Sequence, residues 1–139
     1  MYEIDRVKGW PMPPLDDLNR TFFEAMADGK VMVQRCADCG TWLAPGAFVC
    51  DNCASENLTW DQASGTGEVY SYVVYHRAFD PAFESLVPYN VCLIEMDEGP
   101  RLLGNTVGIE NDQIQIGMKV KAVFNPVGDG LPMLQFQPA

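Results

Sequence analysis

Residues 36–53 read CADCGTWLAPGAFVCDNC, and this stretch decides the fold of the first half of the chain. Two residues separate Cys36 from Cys39, and two separate Cys50 from Cys53. A two-residue gap lets the chain turn in a tight knuckle, so that both sulfurs face one point and the backbone N–H groups that follow can bond to them. Gly40, directly after Cys39, supplies the conformational freedom such a turn often needs. The ten residues between the pairs suffice for a hairpin with a loop. Two knuckles on adjacent hairpins make a tetrahedral four-sulfur site, which Zn2+ fills with no coordination position left open. The spacing therefore predicts a zinc ribbon with Cys36, Cys39, Cys50 and Cys53 as ligands. An iron site of rubredoxin type would use the same four ligands and is the alternative. In either case the site is closed, so the metal is expected to be structural and not catalytic.

Working outward, residues 1–14 hold three prolines and read as an extended arm. A helix is expected over 15–29, with Leu15, Leu18, Phe22, Ala25 and Met26 on one face, Asp16 as N-cap and Gly29 as the C-cap glycine. That stripe serves either the chain's own core or docking on a partner, with Phe23 widening the apolar surface. The strand KVMVQR (30–35) then leads into the first knuckle. From Gly65 the sequence turns β-rich. Strands are expected at 67–79, 88–96, 101–108, 119–125 and 131–137, with turns at DEGP (97–100) and in the PVGDG segment. Five such strands without a long helix among them suit a five-stranded Greek-key barrel of the OB type. The expected architecture is mainly β, with an arm and helix over 1–30, a rubredoxin-like ribbon over 31–64 and an OB-fold barrel over 65–139.

Composition narrows the function. At 139 residues, with 47% hydrophobic and 20% charged residues, the chain has globular composition and room for one ordinary domain or two small ones. No apolar run approaches 18 residues, so no membrane span is expected, and the N-terminus lacks a secretory pattern. These readings predict a cytoplasmic protein. Nineteen acidic residues against nine Lys and Arg give a formal net charge of -10. A metallated four-thiolate site would carry this to about -12. Such a surface repels nucleic acid and anionic lipid, and Asp38 and Asp51 place acidic groups inside the knuckles themselves. Five cysteines, four of them in close pairs, favour metal over a disulfide framework in that compartment.

No catalytic constellation is apparent. Cys92 sits mid-strand and reads as a small buried hydrophobe, and His76, the single histidine, ends a strand without an acid partner. The carboxylates show no pairing, and no nucleophile-elbow, Walker or dinucleotide fingerprint occurs. Lys119 and Lys121 share a strand face and, with Arg101 or Arg77, either meet a phosphate-bearing ligand or form an ordinary solvated face. The 79–89 loop (FDPAFESLVPY) carries Phe79, Phe83, Leu86 and Tyr89, which serve either as a partner interface or as a cover for the barrel mouth.

The order of parts resembles a known family. GKVMVQRC, the knuckle Cys36–Gly40, the approach Gly65–Gly67, the pair Pro88-Tyr89, Glu98-Gly99-Pro100 and Ile116-Gly117-Met118 are its most specific pieces. They match the zinc-ribbon-plus-OB-fold family of acyl-CoA-associated proteins, once catalogued as a domain of unknown function, over roughly residues 15–137. Ala54 departs from the glycine that often follows the second knuckle. The resemblance implies a small subunit, without catalytic residues of its own, beside a thiolase-like protein that supplies the catalytic residues. It implies acyl-CoA at a shared site, and work in the degradation of aromatic compounds or steroid side chains. A free-standing acyl-CoA or acyl-carrier binding module is the alternative. A nucleic-acid-binding ribbon and barrel is a further one, disfavoured by the charge.

Overall fold

The computed structural model describes residues 10–128 and 130–139; most of the expected arm, residues 1–9, lies outside the described residues. The expected helix is shorter than 15–29. Asp16 Oδ1 accepts hydrogen bonds from the backbone N–H of Leu18 and Asn19, at 2.9 and 3.1 Å, and this local bonding holds a turn that competes with helix. The α-helix proper, α1, spans Arg20–Ala25, and a 3-10 turn continues it over Met26–Asp28. Gly29 ends it in the left-handed region, at φ 67°, as its C-cap position requires.

Three short strands make the ribbon sheet: β1 (Met32–Cys36), β2 (Trp42–Leu43) and β3 (Leu58–Gln62), ordered β2-β1-β3 and antiparallel throughout. Gln34, buried in β1, extends this sheet with its side chain. Its Oε1 accepts from the Ala47 N–H at 2.7 Å, and its Nε2 donates to the Ala47 carbonyl at 3.1 Å. The loop between the knuckles is thereby bonded as a strand would be.

The second sheet has five strands: β4 (Thr66–Tyr75), β5 (Tyr89–Met96), β6 (Arg101–Gly104), β7 (Lys119–Val127) and β8 (Leu131–Pro138). Their order is β6-β5-β4-β7-β8, with every ladder antiparallel. The sheet curls until its two edges meet. Thr106 and Phe136 form a parallel bridge, backed by Phe136 N–H to the Asn105 carbonyl at 2.9 Å and Val107 N–H to the Phe136 carbonyl at 2.7 Å. An antiparallel five-stranded sheet closed by a parallel contact of its third and fifth strands is the OB arrangement expected from the sequence.

Two strand limits differ from expectation for visible reasons. The first barrel strand stops at Tyr75, not at residue 79, because the chain leaves the sheet for a 3-10 turn over Pro81–Phe83 whose N-cap is Asp80. The third stops at Gly104, not at 108, because the chain must leave β5 there to reach β8. Phe136 packs on that departure: a Cβ at Gly104 would lie 2.8 Å from its ring.

One core joins all the parts. Val69, Ile94, Met96, Val120 and Phe136 of the barrel pack with Met26 below α1 and with Val33 and Ala63 of the ribbon sheet and its exit. Phe22 and Phe23 pack against this core beside the buried Met26, so these three side chains serve the chain's own interior, whereas Leu15 and Leu18 of the expected stripe are only half-buried. Among the described residues no helix is long and apolar enough to cross a membrane.

The closest approach in the barrel is at Gly67. A Cβ there would stand 2.4 Å from the Glu95 carbonyl oxygen, a backbone atom held in the β4–β5 ladder. Gly67→Ala is expected to destabilise the chain by about 2 to 3 kcal/mol, as overpacking against an immobile neighbour does. Gly104→Ala, whose neighbour is the side chain of Phe136, should cost less. Denaturant melts of the two variants check the ranking.

Candidate metal centre and the cleft on the barrel

The two knuckles close on the same backbone bond and differ in which N–H meets the first cysteine's sulfur. At the first, Cys39 N–H donates to Cys36 Sγ at 3.5 Å and Gly40 N–H to the Cys36 carbonyl at 2.9 Å. At the second, Asn52 N–H donates to Cys50 Sγ at 3.4 Å and Ala54 N–H to the Cys50 carbonyl at 2.9 Å. Each turn closes on a residue in the left-handed region, Gly40 at φ 79° and Ala54 at φ 62°. Ala54 is the non-glycine residue with positive φ among the described residues, so the second knuckle carries backbone strain that the first avoids.

All four sulfurs lie within 4.8 Å of one another, with Cys36 to Cys53 at 3.6 Å and Cys39 to Cys50 at 3.5 Å. A zinc ion bound at about 2.3 Å to each sulfur of a tetrahedron sets sulfur–sulfur edges of about 3.8 Å, so the donor set fits the metal. Four soft thiolates in this arrangement are a zinc-ribbon site. The thiols alone do not ionise alike. Thr41, whose Oγ1 is 3.1 Å from Cys39 Sγ, holds that thiol down at about 6. Although the Ser55 backbone N–H favours the Cys53 thiolate, the sulfurs of Cys36 and Cys39 push Cys53 up to about 12. A divalent cation at the centre of the cage removes this conflict, since every ligand must be a thiolate.

Asp38, read from the sequence only as added negative charge, ties the knuckles together. Its carboxylate accepts hydrogen bonds from Ser55 Oγ and, at 3.4 Å, from Asn57 Nδ2, both beyond the second knuckle. These bonds hold its carboxyl below the usual carboxylate range, Ser55 contributing most.

The remaining candidate residues fall elsewhere. His76 is exposed, one residue past the end of β4. Cys92 is fully buried in β5; its thiol donates to Asn90 Oδ1 at 3.4 Å and accepts from Thr106 Oγ1 at 3.2 Å. Burial raises its pKa, which leaves it a poor nucleophile at neutral pH. The basic residues on the strand face are largely engaged. Arg101 Nε donates to Glu95 at 3.0 Å and its guanidinium stacks 3.7 Å from the Tyr70 ring centroid; Lys119 Nζ donates to Glu68 at 2.8 Å. Because Arg101 pairs with Glu95, Glu95 with Glu68, and Glu68 with Lys119 across four strands, these groups form a charge row on the barrel, not a phosphate clamp.

A feature that the sequence reading missed lies beside Cys92. Where β6 leaves β5, the buried side chain of Asn90 takes over the pairing. Its Oδ1 accepts from the Thr106 N–H at 2.6 Å, and its Nδ2 donates to the Thr106 carbonyl at 2.8 Å and to Asn111 Oδ1 at 2.9 Å. Asn105 Nδ2 donates to the Asn90 carbonyl at 2.6 Å, Gln135 Nε2 to Asn105 Oδ1 at 3.3 Å, and Asn125 Nδ2 to Gln135 Oε1 at 2.7 Å. This amide ladder borders an open cleft of about 1140 Å³ on the outer face of β5 and β6, between the β4–β5 loop and the β7–β8 turn. Its other wall is aromatic: Trp10 meets Phe83 edge-on at 5.0 Å, Phe83 meets Tyr89 at 5.7 Å, and Tyr89 stacks on Tyr75 at 5.2 Å.

Ribbon and barrel both have known counterparts. Residues 23–59 match the family described as "ChsH2, rubredoxin-like zinc ribbon domain", and residues 60–125 match "ChsH2, C-terminal OB-fold domain". The chain belongs to this ChsH2-type family of zinc-ribbon and OB-fold proteins, also called DUF35. It is 42% identical over 131 residues to a "Probable enoyl-CoA hydratase alpha subunit" of Thermomonospora curvata, covering 93% of this chain but only 40% of that protein's length. It is 37% identical over 94 residues to a "DUF35 domain-containing scaffold protein" of Methanocaldococcus jannaschii, covering 67% of this chain and 66% of the relative. Among solved structures, a chain of "Ltp2-ChsH2(DUF35) aldolase" superimposes with a TM-score of 0.80 at 40% identity, over 91% of this chain and 98% of that one.

Two outcomes test the ribbon. The purified family member should hold a single zinc ion per chain by elemental analysis, and Cys39→Ser should lower ribbon stability because a closed site loses a ligand; iron in place of zinc would favour the rubredoxin-type alternative. Ala54→Gly should raise the stability of the metallated protein by about 1 kcal/mol in denaturant melts, since glycine occupies the left-handed region without the Cβ penalty.

Proposed function

We propose that this chain is a non-catalytic accessory subunit of a thiolase-like acyltransferase or aldolase acting on acyl-CoA thioesters, holding the assembly together and shaping the acyl-CoA channel. The observation that carries this reading is the likeness to the chain of the Ltp2-ChsH2(DUF35) aldolase, which this chain covers over 98% of its length. The names of the other relatives, a hydratase subunit and a scaffold protein, point the same way.

The chemistry of the residues agrees with that role. Cys36, Cys39, Cys50 and Cys53 would bind zinc in a cage with no open position, so the metal would fix the ribbon without meeting substrate. Cys92 is buried and protonated at neutral pH, and His76 lies apart from it. The reacting groups are thus assigned to the partner. A net charge of -10 argues against a nucleic-acid ligand for the OB face, which would need a basic groove. The cytoplasm is the compartment that suits free thiols and CoA thioesters.

Apolar side chains left in solvent indicate where a partner would sit. Phe79 is 72% exposed and Leu86 47%, both on the β4–β5 loop, and Val73 on the neighbouring strand is 53% exposed. Phe83, by contrast, is packed between Trp10 and Tyr89, whereas Phe79 touches Tyr75 edge-on and lies under Arg77 but stays largely in solvent, so of the loop's rings it is Phe79 that is presented as an anchor.

Co-expression with a thiolase-like partner should yield a co-purifying complex that turns over acyl-CoA, while the isolated chain has no thiolase or retro-aldol activity. Phe79→Ala should weaken the complex by about tenfold or more and leave the melting temperature of the isolated chain unchanged. Turnover by the chain alone, abolished by Cys92→Ala, would contradict the accessory role.

A further inference from the structure

The four-sulfur cage is not shielded evenly. Cys36 and Cys50 are 1% and 2% exposed, sealed within the ribbon's own small core, whereas Cys39 and Cys53 are exposed. A reagent arriving from solvent therefore meets these two outer sulfurs first. With zinc bound both are thiolates, and a solvent-facing thiolate is the form that electrophiles attack. The two differ in what they are bonded to.

Cys39 Sγ is held by two side chains. The Thr41 hydroxyl stands 3.1 Å from it and the Asn52 amide Nδ2 stands 3.6 Å from it. A thiolate has no hydrogen to give, so at the first of these contacts Thr41 donates. Thr41 is itself fixed in place, because its carbonyl accepts from the Cys36 N–H at 2.9 Å. Asn52 comes from the opposite knuckle, where its backbone N–H donates to Cys50 Sγ at 3.4 Å. One residue thus grips a ligand of each knuckle, and those two sulfurs lie 3.5 Å apart. Asp38 crosses in the reverse direction, from the first knuckle to Ser55 and Asn57. Asp38 and Asn52 hold the same place in their turns, directly before the second cysteine, so the latch is reciprocal.

Both outer cysteines also meet a backbone N–H, that of Thr41 at Cys39 and that of Ser55 at Cys53. Among the described residues, Thr41 Oγ1 and Asn52 Nδ2 are the addition at Cys39. Hydrogen bonds to a thiolate draw charge from the sulfur and occupy its lone pairs, which lowers its nucleophilicity.

We propose that Thr41 and Asn52 are positioning residues that keep the exposed ligand Cys39 bound and unreactive, and that Cys53 is the modification site through which soft electrophiles open the cage. With a maleimide, the bond from Cys53 Sγ to zinc breaks as a bond forms from Sγ to an alkene carbon of the ring, and the enolate so produced takes its proton from water. No oxidant is needed, and the weakened cage yields its metal to a chelator.

The test treats the zinc-loaded full chain with a limiting amount of N-ethylmaleimide, maps the alkylated cysteine by peptide mass spectrometry and follows zinc release with a metallochromic dye. Alkylation should appear first at Cys53, and zinc release should keep pace with it. Thr41→Val combined with Asn52→Ala should raise the initial alkylation rate of Cys39 at least about tenfold, the size of effect that outer hydrogen bonds have at metal sites, and leave that of Cys53 unchanged. Thr41→Ser, which keeps the hydroxyl, should behave as the parent chain does. Cobalt(II) in place of zinc gives a readout that a general loosening of the ribbon would not move. Thr41→Val should shift the sulfur-to-cobalt charge-transfer band to lower energy and leave the tetrahedral d–d bands in place. Alkylation of Cys39 before or together with Cys53 in the parent chain would overturn the proposal. So would an unchanged Cys39 rate in the double variant, a charge-transfer band that does not move, or equal acceleration at both cysteines, which would mark the two donors as ordinary stabilising bonds.

Discussion

The four-sulfur cage is the constraint on which the first half of the molecule depends. The ribbon's own core consists of Cys36, Leu43 and Cys50, with Ala47 and Leu58 packed against it, so two of its three buried side chains are themselves metal ligands. A core this small cannot offset the conformational entropy of ordering two knuckles and a ten-residue loop. Metal coordination supplies the difference, and folding and metal binding become one event. The consequences reach beyond the ribbon. β1 carries Cys36 at one end and Val33 in the shared core, and the exit of β3 places Ala63 in that same core. The cage therefore fixes the sheet on which one side of the barrel rests.

The barrel obeys a different constraint, the need to close. An antiparallel meander of five strands leaves two edges, and joining them forces β6 away from β5 after Gly104. Backbone groups freed by that departure would be buried without partners, at about 1 to 3 kcal/mol each. Asn90 meets both from one side chain, and Asn105, Asn111 and Gln135 carry the bonding outward to the surface. The same amides then border the cleft. A solution to a closure problem thus also shapes the chemistry of the barrel's open surface.

The sequence made some of this legible and hid the rest. The CxxC pairs announced the ribbon because two close cysteine pairs bring four sulfurs to one point, and the Val- and Tyr-rich runs announced the strands because their β propensity is high and turn residues bound them. Gly29 was readable as a helix end for the same reason: its left-handed φ favours glycine. What the sequence concealed were the bonds made by side chains to distant backbone. Asn90, Gln34 and Asp38 look like ordinary polar residues until the fold brings Thr106, Ala47 and Ser55 to them, at separations of 16, 13 and 17 residues. Strand ends at Tyr75 and Gly104 were overestimated because propensity continues where topology turns the chain away. The pairing of Lys119 with Glu68 and of Arg101 with Glu95 was likewise invisible, since it depends on register.

The central claim is that the metal holds the ribbon together in a closed four-sulfur site and, under the proposed accessory role, takes no part in any reaction. X-ray absorption at the zinc edge tests it most directly, on the purified chain, alone and with the proposed partner, before and after addition of acyl-CoA. The account predicts four sulfur neighbours at about 2.3 Å in both states, with no change on adding substrate. An oxygen or nitrogen neighbour, or a change in coordination when acyl-CoA is added, would contradict it.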